Sequence, residues 1–411
     1  MQWCRMEDTI EFFAGVLDIR SPWAVSNVLR DGEGCRITVE IVFERSSGGD
    51  LGGHIHGYVD REWRHLDTCQ YQTFLRARVP RIRRPDGTTT EVEVPWAERF
   101  SRVTKMMEAR VIETLQMASN HSAAAKHLGM SRGQLDRIME RAVSRGLARR
   151  EKSDIPHIGL DEKAMRRGHR YVSVMTDIDK GVVVDLVEGR TMEAADELWG
   201  CLTPGQRCSV EAVAMDMWPA YMASAWTWAP NADVVHDRFH VASHLGKAVD
   251  TVRKREHKKL MGTGDDSLKG TKYRWLRRWD DLRSAPVDFR TIYRSALETA
   301  KTWSYKEAFD CFWDYVSESW ARKFFEGWYR SVIRTGIEPM KRVARMLKKH
   351  LPGLLAYTRH RITNATAEGL NSKIQTIRNN ARGLPKFETF RIRVLFHCGG
   401  LDLRPAASHT N

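Results

Sequence analysis

The sequence has little of what holds a protein together outside a reducing compartment or seats it in a membrane. Its seven cysteines are an odd number, scattered from Cys4 to Cys398, and make no disulfide framework, so a reducing compartment is expected. No CxxC pair sets two thiolates at the short spacing from which zinc modules are built. No run approaches the roughly 18 consecutive apolar residues of a bilayer-crossing helix. The opening MQWCRMEDTI lacks a basic segment followed by an apolar one, so no secretory leader is read and a cytoplasmic location is expected. Acid is the scarcer charge: 52 Asp and Glu face 66 Lys and Arg, a formal net charge of +14. A field of that sign favours polyanions such as nucleic acid over neutral partners, or simply serves solubility.

What is present falls into blocks, and 411 residues exceed one ordinary core, so several domains are expected. Between Cys35 and Val94 the segments ITVEIVF, HIHGYV, FLRARVPRI and TTTEVEV read as strands, separated by the turn-rich SSGGDLGG and RRPDGT. Residues 1–98 therefore read as a small β-rich module. Cys35, His54, His56 and Cys69 are its conceivable zinc ligands, but without a CxxC pair they read as ordinary thiols and imidazoles. Residues 99–150 hold NHSAAAKHLGMSRGQLDRIMERAVSRGL. Ala123, Ala124 and Leu128 predict the inner stripe of a first helix, Gly129 its turn, and Ser131 the cap of a second helix with Leu135 and Ile138 inward. This is the layout of a helix-turn-helix, whose second helix enters the major groove. Arg132, Gln134 and Arg137 are then the candidates for contacts to bases or phosphates. A helical hairpin that only packs is the alternative.

Residues 151–246 read as three strands, helix, strand, helix, strand. The apolar run 155–160 ends at Asp161, and HRYVSVMTDI and KGVVVDLVEGR form a meander with it through a turn at 179–181. Thr191 caps a helix to Leu202, the buried run 210–215 ends at Asp216, and ADVVHDRFH leads to His240. If the two strands are neighbours, Asp161 and Asp216 emerge at one edge. Residues 247–355 are rich in Arg, Lys and Trp, with apolar residues three and four apart. That spacing predicts a helical insertion whose core takes Trp303, Trp313, Trp320 and Trp328. Beyond it, TNATAEGLNSKI places Glu368 near the start of a helix with Leu370, Ile374 and Ile377 on its apolar stripe.

Phosphodiester cleavage at neutral pH requires the attacking and leaving oxygens to be stabilised together, which two divalent ions roughly 3.5–4 Å apart supply. Mg²⁺ prefers hard oxygen ligands and keeps several waters, so a few carboxylates suffice. Asp161, Asp216 and Glu368 suit that work by type and by joint placement. An isolated Asp after a strand is ordinarily a cap or turn residue, and Glu162 and Asp177 lie close enough to be confused with true ligands.

The blocks HIGLDEKAMRRGHRYVSVMTD, VAMDMWPAY, VVHDRFHVASHLGKAVDTVR and TNATAEGLNSKIQTIRNNARG resemble the ISL-three family of bacterial insertion-sequence transposases, as do WRHLD and VPWAERFSRVTKMME nearer the start. The resemblance covers most of the chain. It implies a multi-domain α/β protein with a ribonuclease H-like mixed-sheet core, interrupted by the helical insertion, resuming at 356–411, and preceded by the β-rich module and helix-turn-helix. It implies Asp161, Asp216 and Glu368 as a catalytic and metal-binding triad for two Mg²⁺ ions, with Mn²⁺ as a substitute and Arg238 and His240 beside them. DNA is the implied partner, as terminal inverted repeats and as target, with Lys373 and Arg378 among its contacts. A homodimer or larger synaptic complex in the bacterial nucleoid is implied too. The chain departs from the family where its amino-terminal zinc module carries cysteines: SSGGD and RIRRPDG stand there, so zinc is not expected. The expected activity is strand cleavage and 3′-hydroxyl strand transfer. A DNA-binding repressor or catalytically silent domesticated copy is the alternative, and a host nuclease a third reading.

Overall fold

A computed structural model describes residues 6–45, 51–118, 120–166, 170–279, 297–362, 365–380 and 386–406; of residues 6, 165, 166, 170 and 365–368 it describes only the backbone. Two compact units result, one from Met1–Arg150 with Leu401–Asn411, the other from Glu151–Gly400.

In the first unit α1 (Met6–Val16) precedes β1 (Trp23–Asp31), β2 (Arg36–Phe43), β3 (His54–Arg64), β4 (Gln72–Arg83) and β5 (Thr89–Glu91). The sheet order is β1-β2-β4-β3, with β5 on β4. Strand β4 shows why this sequence makes a one-sided sheet. Thr73, Leu75, Ala77 and Val79 alternate inward while Arg76 and Arg78 face water. Trp96 closes the core edge-on against Trp23 and Trp63, at ring separations of 5.1 and 5.6 Å. The register also separates the four conceivable zinc ligands. His54 pairs with Arg83 at one end of β4, whereas the Cys35 carbonyl accepts from the Gln72 amide at the other, with Cys69 in the adjoining turn. At ~3.3 Å per residue these ends are ~35 Å apart, so the histidine pair and the cysteine pair cannot share an ion.

The same unit contains α2 (Lys105–Met117), α3 (His121–Leu128) and α4 (Arg132–Arg149). Asn120 caps α3, Gly129 ends it in the left-handed region at φ 61°, and Ser131 starts α4 with a capping box. The buried alanines of α3 are Ala124 and Ala125, and Ala123 faces outward, contrary to the expected stripe. Leu128 shares a helix face with residues three and four before it, which excludes Ala123. In α4, Leu135 and Ile138 point inward. Buried Glu108 accepts from Arg141 at 2.6 Å and Arg145 at 3.0 Å. Arg145 also donates to the Leu403 carbonyl at 2.8 Å. Residues 401–406 thus complete this unit instead of trailing from the core as the division at 356–411 supposed.

The second unit runs β6 (His157–Arg166), β7 (Arg170–Asp177), β8 (Val182–Glu188), α5 (Met192–Gly200), α6 (Pro204–Cys208), β9 (Ala212–Met215), α7 (Pro219–Trp228) and β10 (Asp233–His236). Then follow α8 (Arg238–Met261), α9 (Lys272–Leu276), α10 (Glu298–Asp310), a 3₁₀ turn (Cys311–Asp314), α11 (Glu318–Ile333), α12 (Glu338–Lys349), α13 (Leu351–His360), α14 (Ala365–Asn380) and α15 (Phe387–Cys398). The sheet order is β10-β9-β6-β7-β8: the first three strands are parallel, and β7 and β8 continue antiparallel. Both faces are covered. Val213 and Met215 pack with α5 and α7, while Ala212 and Ala214 pack with α8 and the helices after it. Trp303, Trp313 and Trp328 are buried there, but Trp320 is 59% exposed, off the inward stripe of Ala321, Phe325 and Trp328. Its ring lies under the Lys323 ammonium.

Candidate active site

Strand register builds the site. Leu160 pairs with Met215, and Met215 with His236, so the next residue on each of three parallel strands is an aspartate: Asp161, Asp216 and Asp237. Parallel strands deliver such successors side by side at their carboxyl ends, where open α/β sheets place their ligands. Strand β6 does not stop there. It runs on to Arg166 paired with β7 alone, so Asp161 lies within a strand, not after one as its apolar run suggested. The charged half of LDEKAMR still extends because the hairpin partner satisfies its backbone.

Asp237 caps α8, accepting from the Phe239 amide at 3.0 Å, and the first turn of that helix brings His240 inward. Its Nδ1 lies 3.4 Å from Asp216 Oδ2, and its Nε2 lies 4.0 Å from both Asp161 Oδ1 and Asp237 Oδ2. One imidazole therefore stands among three carboxylates. Asp161 Oδ2 receives the Lys163 ammonium at 2.9 Å and the Asn371 amide at 2.8 Å. Asn371 belongs to α14, which also contains Glu368 one turn earlier; the Glu368 side chain lies outside the described residues.

Glu162 faces the other side of β6. Burial raises its carboxyl pKa above the ordinary value, the Arg190 guanidinium opposes this, and the charges of Asp216 and Asp161 raise it further. Its Oε2 is buried without a hydrogen-bond partner among the described residues. At the carboxyl ends of the three parallel strands, Asp161, Asp216 and Asp237 thus offer hard carboxylate oxygens, a donor set suited to Mg²⁺ or Mn²⁺.

The remaining sequence candidates fall elsewhere. Arg238 donates to Asp310 Oδ1 of α10 at 2.9 Å. Asp177 holds the β7–β8 turn by accepting from the Lys180 amide at 3.0 Å. The Arg378 guanidinium donates to the Ala164 carbonyl, and Lys373 is exposed on α14. In the first unit Arg132 and Arg137 are exposed on α4, whereas the Gln134 carbonyl oxygen is engaged by the Ser131 amide at 2.8 Å. Sequence reasoning passed over Asp237, Lys163 and Asn371. Asp237 follows an apolar run by the same rule as Asp216, and that signal was available; Lys163 and Asn371 carry none before folding.

Known families match the same stretches of sequence. Residues 158–394 match the DDE-type ISL3 family model, described as a transposase. Residues 92–143 match the helix-turn-helix domain of transposase family ISL3. Residues 49–83 match the zinc-finger of transposases IS204, IS1001, IS1096 and IS1165. Within that stretch His54 and His56 are held far from Cys69, and His65 Nδ1 turns inward to Thr104 Oγ1 at 2.9 Å, so these residues do not fit one tetrahedral zinc. The chain is 27% identical over 347 residues to the transposase for insertion sequence element IS1001 of Bordetella parapertussis, covering 83% of this chain and 85% of that one. It is 24% identical over 353 residues to the transposase for IS1557 of Mycobacterium tuberculosis, covering 79% and 78%.

Proposed function

The chain belongs to the ISL3 family of transposases, and on that premise we propose that it cuts the ends of its own insertion sequence and joins them to target DNA through Asp161, Asp216 and Glu368. The second unit is then a ribonuclease H-like core, with 247–355 as its helical insertion. The observation that carries this reading is the register that sets Asp161 beside Asp216, together with the Asn371 bond that brings the Glu368 helix to Asp161. Helical periodicity puts Glu368 and Asn371 on one face of α14.

The three carboxylates would hold two Mg²⁺ ions, with Mn²⁺ as a substitute. Bound there, the ions would supply activation of a water or 3′-hydroxyl and stabilisation of the departing oxygen. Lys163 and Asn371 hold Asp161 in one orientation, and His240 spans the gap between Asp161 and Asp216. The helix-turn-helix reads the terminal inverted repeats, with Arg132 and Arg137 on phosphates or bases and Gln134 limited by its cap, while Lys373 meets backbone near the cut. Joining two ends calls for a dimer or larger synaptic complex.

Asp216→Asn is expected to lower Mg²⁺-dependent cleavage of an end-containing duplex on the order of a thousand-fold, with repeat binding in a gel shift retained. Cleavage at ordinary rates would remove Asp216 from the site. Binding by the wild type with no metal-dependent nicking would favour a repressor or silent copy instead.

A further inference from the structure

The edge of the second sheet opposite the aspartate row holds a different donor set. His157 opens β6, Glu211 immediately precedes β9 and Asp233 opens β10, and the strand register sets them side by side. His360, the last residue of α13, reaches the same edge. Its ring lies 6.1 Å from that of His157, and ligand atoms of His157, Glu211 and His360 all lie within 4.8 Å of one another. Two imidazoles and a carboxylate are donors for a zinc-class ion, whereas imidazole is a poor ligand for Mg²⁺.

A second observation points the same way. His157 Nδ1 lies 2.9 Å from Asp179 Oδ1, and His360 Nε2 lies 2.8 Å from Asp233 Oδ2. An imidazole that donates one N–H to a carboxylate has its tautomer fixed and its other nitrogen left with a lone pair, the outer-shell arrangement that supports metal-binding histidines. The backbone is preset as well. The Glu211 amide donates to the Pro156 carbonyl at 2.8 Å, its carbonyl accepts from Asp233 at 2.9 Å, and the His157 carbonyl accepts from Ile178 at 3.0 Å.

We propose that His157, Glu211 and His360 bind one zinc-class divalent cation, with water completing the coordination, at a site separate from the aspartate row. The ion would fasten the end of α13 to the sheet just before the chain enters α14, and so would set the entry of the helix that carries Asn371 and Glu368.

The test uses untagged full-length protein carrying Asp161→Asn and Asp216→Asn, so that the aspartate row does not contribute, titrated with Co²⁺ and then Zn²⁺. The expected result is one equivalent of Co²⁺ with visible d–d bands, no thiolate charge-transfer band, and displacement by Zn²⁺. His157→Ala with His360→Ala should abolish that equivalent. Exposed Glu211→Gln should weaken it without unfolding the protein, and Asp233→Asn should weaken it ~10–100-fold, as outer-shell losses do. Absence of a stoichiometric Co²⁺ signal, or its persistence in the folded double-histidine variant, would overturn the proposal. So would a thiolate band, which would assign the ion to cysteines.

Discussion

Burial keeps the His65 imidazole neutral. Loss of solvent, and after it the charge of Arg64, brings its pKa down to about 4 from the ordinary 6.5. The unfolded chain takes up this proton near 6.5 and the folded chain only near 4, so the contribution to stability is complete above 6.5 and is lost as pH falls through that window. The full loss is on the order of 3 kcal/mol. Urea midpoints measured from neutral pH to pH ~4.5 should therefore fall less steeply in His65→Gln than in the wild type, although the variant starts lower. Parallel slopes would show that His65 does not carry this sensitivity. At the same scale, the adjacency of Asp161 and Asp216 was legible because each follows an apolar strand segment, and parallel register does the rest. Asn371 was not legible, since nothing in GLNSK distinguishes a surface asparagine from one bonded to a carboxylate 210 positions away.

Where α13 crosses β10, Gly353 permits the approach. A methyl group there would sit 2.5 Å from His236 Cδ2, in a ring that is buried and packed edge-on against His350. Alanine normally gains ~1 kcal/mol over glycine inside a helix, but overpacking costs ~1–3 kcal/mol, so Gly353→Ala is expected to destabilise. Gly327 in α11 is the control. A methyl there meets nothing within 4 Å, and Gly327→Ala should stabilise by ~0.5–1 kcal/mol in the same denaturant titration. Stabilisation by both would mean that the α13 contact is looser than its distances. Helices such as α11 were legible because an apolar residue recurs every turn, and β4 because its side chains alternate. Strand β1 was missed: WAVSNVLRD mixes polar residues into both faces and carries an irregularity between Val25 and Asn27. The length of β6 was missed because its second half is charged, and pairing with β7 rather than apolar burial sustains it.

For the molecule as a whole, a net charge of +14 and a matched helix-turn-helix make binding to DNA dependent on counterion release. The logarithm of affinity for a duplex carrying the element's end should fall linearly with the logarithm of salt concentration. Arg132→Ala and Arg137→Ala should each make the slope shallower by ~0.9 where the side chain meets a phosphate. Anisotropy titrations across a salt series measure this; weakened binding to one sequence with an unchanged slope would mark base contacts instead. The division into two units could not be read from local patterns, because residues 401–406 carry no periodicity and their partners, Arg145 and Arg149, lie far back in the chain. That return has a consequence for synthesis. The ribosome releases Leu403 only after all of Glu151–Gly400, so the first unit receives its last structural piece when the second has already been made. A prematurely terminated chain therefore leaves Arg145 without its Leu403 acceptor, and the first unit is complete only in polypeptides that carry the second in full.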